Sequence, residues 1–205
     1  MNTIKITNTD IKIMVTEAVK KCLTEMVAYH GGCKLFNRFD LSKAHTGEGA
    51  TMYGFGVYVT SNIDTGKHYM KVIANTNNSS VGYLYEVEIP DDNGKNYLNI
   101  QKNNPQVYDY LEQGLIKLCP DMKENIIECL DYCRQYDTLM WLFQSGCGYS
   151  FDEVELAQLL MQLGFVGVRV PVGYREAGMG QLEGYNYTIF NDNNVKIVNV
   201  EKYNF

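Results

Sequence analysis

Apolar and polar positions alternate along this chain in two distinct periods. Over 9–26, Ile11, Met14, Val15, Ala18, Cys22 and Met26 recur at helical spacing behind a possible cap at Thr9 or Asp10, which predicts a first packing helix. The run Val27-Ala28-Tyr29 then reads as a short strand that delivers His30. Residues 35–52 are polar and glycine-containing, a loop with at most one helical turn. A strand is predicted over 54–60. A helix follows over 62–75; it carries Tyr69 and is weakened by Gly66. Over 81–89 the period is two, with Val81, Tyr83, Tyr85, Val87 and Ile89 on one face and Glu86 and Glu88 on the other.

After a turn at 90–94 and a brief extended segment at 97–100, the pattern is helical to residue 163. It predicts helices over 105–118, 120–136, 138–143 and 151–163, with Pro105 and Pro120 suited to first-turn positions. Gly164 ends the block. Strands are predicted over 165–170, 185–190 and 195–200, with a glycine-rich loop at 173–184 between the first two and a turn at 191–194 before the last. The 205 residues fit one domain, 1–205, in which the helical stretch of about 104–163 is an insertion.

Charge sharpens this picture. The chain carries a net −6, and 101–165 contains four cations and ten anions, a balance of 4 − 10 = −6. That argues against a mainly electrostatic nucleic-acid binder. It leaves two readings of the helical block: an ordinary solvated surface, or an acidic docking face for a basic protein partner. The six cysteines show no two-residue spacing and only three histidines accompany them, so no metal site is expected and the thiols read as reduced and partly buried. No apolar run reaches the roughly 20 residues of a membrane span and no secretory signal is visible, which predicts a cytoplasmic protein with no membrane contact.

The chemistry-bearing residues gather between 29 and 69. His30 precedes Gly31 and Gly32, where bare backbone lets another group approach closely. Tyr58 sits in the strand Val57-Tyr58-Val59-Thr60, and Tyr69 follows eleven residues later on a helix. Two tyrosines and a histidine can clamp a flat heteroaromatic ring. Each element also has an ordinary explanation. His-Gly-Gly makes a turn, and a tyrosine in a strand packs a sheet. Glu86 and Glu88 are a solvent-facing stripe, and Lys43, His45 and Glu48 are solvated loop residues.

Taken in order, His30-Gly31, the segment Gly54-Phe55-Gly56-Val57-Tyr58 and Tyr69 resemble the ADP-ribosyltransferase superfamily, in the His-Tyr-Glu branch of poly-ADP-ribose polymerases and diphtheria toxin. Phe39-Asp40 and Gly47-Glu48-Gly49 are similar to segments of short phage and bacterial members, which implies a toxin-like effector modifying host components. Near the C-terminus, Tyr187-Thr188-Ile189-Phe190-Asn191 resembles the family's closing strand. The resemblance covers the first ninety or so residues and roughly the last forty. It implies an α+β fold, an ADP-ribosyltransferase-like split β-sheet core with an N-terminal helix and a helical insertion, and an NAD-dependent mono-transfer to a protein acceptor. On it, NAD would lie in a cleft between two short sheets. His30, Gly31, Tyr58, Ser61 and Tyr69 would bind the dinucleotide: nicotinamide between Tyr58 and Tyr69, its carboxamide on the Gly31 backbone, and the adenosine ribose on His30.

The same alignment departs from the family at its third motif, where Asn186 stands in the place of the catalytic glutamate. An amide can hold a ribose hydroxyl. It cannot offset developing positive charge as a carboxylate does. His30, Tyr58 and Asn186 are therefore the candidate catalytic set, with Glu183 or Glu48 as possible substitutes for the missing carboxylate. Two other readings stay open: a catalytically degenerate module that binds a nucleotide or a protein partner, and a structural protein whose tyrosines are core.

Overall fold

The computed structural model describes residues 25–43, 53–101, 103–144, 151–173 and 183–205. The helix expected over 9–26 falls outside the described residues except for its last two positions, which are strand. The run Gly47-Glu48-Gly49, His45 and most of the 173–184 loop also lie outside them.

The described chain is mixed α and β. Its seven strands are β1 (Glu25–Gly32), β2 (Val57–Thr60), β3 (Val81–Pro90), β4 (Tyr97–Asn99), β5 (Gly167–Pro171), β6 (Tyr185–Ile189) and β7 (Lys196–Asn204). Five helices accompany them: α1 (Ile63–Thr76), α2 (Pro105–Leu118), α3 (Lys123–Tyr136), α4 (Met140–Gln144) and α5 (Glu153–Gln162). The helix starts follow local chemistry. Asn62 caps α1 by accepting from Thr65 N at 3.0 Å. Asn104 and Pro105 open α2, and Asp152 caps α5 through Glu155 N at 2.7 Å. Asp137, left-handed at φ 47°, closes α3.

The strands form one sheet in the order β4-β5-β6-β2-β1-β3-β7, with β4 and β5 parallel and every other pair antiparallel. The expectation of two short sheets is corrected here: the hydrogen-bonded order is continuous. The join is nevertheless thin, because β1 and β2 share the single registered pair Tyr29↔Thr60, whereas β1 and β3 are matched along eight residues, Glu25↔Pro90 to Gly32↔Tyr83. Beyond Tyr29, the stretch His30-Gly31-Gly32 parts from β2.

Strand alternation sorts the side chains onto two faces. One face carries Ala28, Val57, Val59, Tyr85, Val87, Ile89, Tyr187 and Ile189 as a continuous apolar cluster. The other is covered by helices. Leu98, Ile100, Val168 and Val170 pack into a core with Leu111, Leu115, Ile126, Leu130, Leu142 and Leu160 of the helical block. The block therefore completes the β4-β5-β6-β2 half of the core and is not a peripheral insertion. Over the β1-β3 half lies α1, so close that a Cβ on Gly31 would sit 2.4 Å from both Gly66 O and Met70 N.

Several strand bounds differ from the sequence reading, most of all the last strand, expected over 195–200 and found over Lys196–Asn204. The first strand includes His30, which lies two residues before its end. The strand expected over 54–60 starts at Val57, because Gly54 turns with φ +87°. That expected over 165–170 starts at Gly167, because Phe165 N still donates to Leu160 O of the preceding helix.

Candidate functional site

The site is built where β1 and β2 separate. The His30 ring stands on the face opposite the helical block, in a box of aromatic rings: Phe39 edge-on at 5.1 Å, Phe36 at 6.1 Å and Tyr85 at 5.9 Å. Tyr85 is fully buried and anchors the chain that leaves β1. Its hydroxyl donates to Lys34 O at 2.7 Å and accepts from Phe36 N at 3.0 Å, while its ring stacks on Phe36 at 4.3 Å. Leu41 N is tied in turn to Asp192 at 2.8 Å. Sequence reasoning assigned no role here to Phe36 or Tyr85. The period-two pattern placed Tyr85 on a buried face, but only the fold shows which loop its hydroxyl holds.

Across the gap, His30 Nδ1 lies 2.8 Å from Tyr58 O. A carbonyl only accepts, so Nδ1 carries the proton and Nε2 of the neutral ring is left as an acceptor. Burial lowers the His30 pKa, outweighing the opposing effect of the Tyr58 carbonyl, and so keeps the ring neutral.

Tyr58 points to the helical face. Its hydroxyl donates to Gly54 O at 2.7 Å and accepts from Tyr53 N at 3.0 Å, closing the turn before its own strand. Its ring lies 6.3 Å from that of Tyr53 at a shallow 29° and packs against the helical core. Burial raises its pKa, so the hydroxyl stays protonated. Gly56 lets β2 and β6 meet, since a Cβ there would fall 2.6 Å from Ile189 O.

Asn186 lies on β6 opposite Thr60 of β2 and Val170 of β5. Register puts Thr188 opposite Tyr58, so Tyr58, Thr60, Asn186 and Thr188 share the helical face. Asn186, Thr60 and Thr188 are buried at 8%, 2% and 1% exposure, and Thr65 of α1 is buried with them. Tyrosines aside, Asn96 is the only other polar residue counted as buried among the described residues, so most of the buried threonine and asparagine side chains collect at this junction. Ser61 fastens the end of β2 to β6: its N–H donates to Tyr185 O at 2.9 Å, and its Oγ accepts from Tyr185 N at 2.9 Å.

The predicted residues are thus brought together unevenly. The His30 ring is bonded to the Tyr58 backbone carbonyl, but the two side chains lie on opposite faces of the sheet; Tyr58 and Asn186 share the helical face, and Ser61 adjoins Asn186 through Tyr185. Tyr69 is half-buried on α1, its ring 6.0 Å from His68; among the described residues it makes no ring contact with Tyr58. The open side of Gly31 is taken by α1, so a group can approach that glycine only along the backbone edge that β2 leaves unpaired. Glu183 is exposed, and its carbonyl accepts from Asn62 Nδ2 at 3.1 Å. Glu48 lies outside the described residues. Among the described residues no helix is long and apolar enough to cross a membrane, and no group of three or more His, Cys, Asp or Glu side chains is placed to hold a metal ion. A groove of about 460 Å³ is present, but on α3, away from this junction.

In comparisons with family models, curated proteins and solved structures, nothing matches this chain.

Proposed function

We propose that the chain is an NAD-dependent mono-ADP-ribosyltransferase acting on a protein acceptor, with the junction of β1 and β2 as its dinucleotide site and an ADP-ribosyltransferase-like core as its fold. The observation that carries this reading is the bond from the His30 ring to the Tyr58 carbonyl where β1 and β2 part, with the polar row Tyr58, Thr60, Asn186 and Thr188 behind it on the opposite, helical face of the same junction.

The chemistry follows from the side chains. His30 Nε2 accepts a hydroxyl of the adenosine ribose. The unpaired backbone edge of Gly31 receives the nicotinamide carboxamide, and the rings of Tyr58 and Tyr69 border the nicotinamide. The amide of Asn186 holds a hydroxyl of the nicotinamide ribose. The bond between the ribose C1′ and the nicotinamide nitrogen then breaks, nicotinamide leaves neutral, and a nucleophile of the acceptor bonds to C1′ and gives its proton to solvent. Water in the acceptor's place gives hydrolysis.

One observation favours a second reading. Asn186 is neutral, and no described carboxylate replaces it on the same strand face. A carboxylate there would stabilise the positive charge that builds on the ribose. On this reading the site binds NAD or another nucleotide without turning it over.

Incubation of the purified protein with NAD labelled in its adenylate phosphate and a cell lysate tests both. Transfer of label to protein bands with release of nicotinamide is expected. Saturable NAD binding with neither label nor nicotinamide selects the second reading. Absence of binding removes both.

A further inference from the structure

The solvent side of α3 carries a groove of about 460 Å³ lined by Glu124, Ile127, Glu128, Asp131, Tyr132 and Gln135. The core needs none of these residues, because α3 buries its other face through Ile126, Cys129, Leu130 and Cys133. Beside the groove stand three exposed aromatic side chains, Tyr132, Tyr136 and Trp141 at 39%, 54% and 44% exposure. They are held against one another: Tyr132 and Tyr136 at 4.5 Å between ring centres, Tyr132 and Trp141 at 4.7 Å and nearly perpendicular. Such a cluster on the outer face of an amphipathic helix marks an interaction surface.

Its charge selects the partner. Glu124 and Glu128 are one turn apart and make no ion pair among the described residues. Of the cations on this helix, Arg134 is already committed: it bridges Asp131 at 2.8 Å, Glu112 at 2.6 Å and Asp109 at 3.2 Å, while Lys123 stands at the helix start with no ion pair among the described residues. Among the described residues, the groove therefore presents carboxylates without ion pairs beside two tyrosines and an indole. Ammonium and guanidinium groups are attracted to both. Nucleic acid and anionic lipid are repelled, and a second copy of the chain would bring the same carboxylates against themselves.

We infer that the groove on α3 together with Tyr132, Tyr136 and Trp141 binds a lysine- or arginine-bearing segment of a partner protein. The inference does not depend on NAD chemistry at the β1–β2 junction, and its test needs no NAD. Trp141 is the one tryptophan of the chain, so its emission reports this surface alone.

The probe is a fluorescein-labelled twelve-residue peptide of lysine, arginine and glycine, titrated into the full chain at low salt. Saturable binding with a matching change in Trp141 emission is expected. Glu124→Gln with Glu128→Gln, exposed changes that leave the core untouched, should weaken it on the order of tenfold, as should Tyr132→Leu. Equal affinity in these variants, or no saturable change in emission, overturns the proposal. So does equal binding of a glutamate–glycine peptide or a single-stranded oligonucleotide. A dimer seen by light scattering and lost in Tyr132→Leu would assign the surface to a second copy and overturn it as well.

Discussion

His30 and Tyr58 are bonded across the line where the sheet comes apart: Nδ1 of the imidazole donates to the Tyr58 carbonyl at 2.8 Å, one residue past the last registered pair of β1 and β2. The bond does two things. It fixes the tautomer, so that Nε2 is the free acceptor, and it bridges two halves of the sheet whose strand pairing has ended. A single side chain thus links a structural join to a site of hydrogen-bonding chemistry.

A pH dependence follows. Burial lowers the His30 pKa from its ordinary 6.5, so between that value and the lower folded one the unfolded chain binds more protons than the folded chain. The contribution of His30 to stability is therefore complete above about pH 6.5 and is lost as pH falls through that window. Urea denaturation at steps from pH 7.5 to 5 should show a steeper loss for the wild type than for His30→Gln. Parallel curves would mean that the ring is not held neutral.

Tyr58→Phe separates packing from hydrogen bonding. The ring stays against the helical core, but Gly54 O and Tyr53 N lose their common partner. Leaving such groups unpaired costs about 1–3 kcal/mol. The variant should melt lower yet keep its fold, and protease cleavage near the turn at 53–56 should increase. An unchanged melting temperature would show that water replaces the hydroxyl there.

Gly31 and Gly32 should respond differently to alanine. At Gly31 the new methyl meets the α1 backbone at 2.4 Å, and neither side can yield without moving the helix. The cost should reach or exceed the roughly 1–3 kcal/mol of an overpacked core. At Gly32 the methyl meets His30 Nε2 at 3.6 Å, an ordinary contact, so the fold should hold while the acceptor nitrogen is crowded. Thermal melts and NAD titrations of the two variants distinguish these outcomes. Equal stability of both would contradict the packing of α1 on β1.

Local chemistry made much of the fold legible. Pro105 suits a first helical turn, so the span of α2, Pro105–Leu118, could be read directly; its Asn104 cap and its buried face of Tyr108, Leu111 and Leu115 came from the structure. The helix expected over 62–75 is α1, and its Asn62 cap came from the structure. The period-two run from Val81 announced β3 but could not show the register shift between Glu86 and Val87 against β7. Partnership was what the sequence withheld. The pairing of β2 with β6, which brings Tyr58 and Asn186 to one face, spans well over a hundred residues and leaves no local signature. The apolar stripes of the helical block likewise did not reveal which strands they cover. Gly31 carried a signal with two meanings, close approach of a ligand or of a helix, and α1 accounts for its bare face.

That coverage bears on truncation. Removing 104–163 and bridging its ends would expose Leu98, Ile100, Val168 and Val170, all nearly or fully buried against the block. The remnant should not fold cooperatively, as judged by its near-ultraviolet dichroism and its urea transition. A soluble, cooperatively melting remnant would show that the β1-β3-β7 side with α1 suffices as a core.

Asn186 gives the most direct test of the proposed chemistry. It is buried at 8% exposure, opposite Thr60, on the face shared with Tyr58. Asn186→Glu would restore a carboxylate where positive charge develops on the ribose, and a well-placed group of this kind contributes about 2.7–4 kcal/mol, or 10²–10³ in rate. The same burial has a cost, because an ionised carboxylate in this setting loses solvation. The variant should therefore melt lower than wild type in the absence of ligand and recover part of that loss when NAD binds. Nicotinamide release should rise by the stated factor if the wild type is slow. If the wild type is already fast, another carboxylate carries the role: Glu183→Gln or Glu48→Gln should then abolish release, and Asn186→Glu should change little. Asn186→Ala separates binding from turnover, since it removes the ribose contact without adding charge and should weaken NAD binding in either case. Wild-type NAD affinity in Asn186→Ala would place the ribose elsewhere and detach Asn186 from the site.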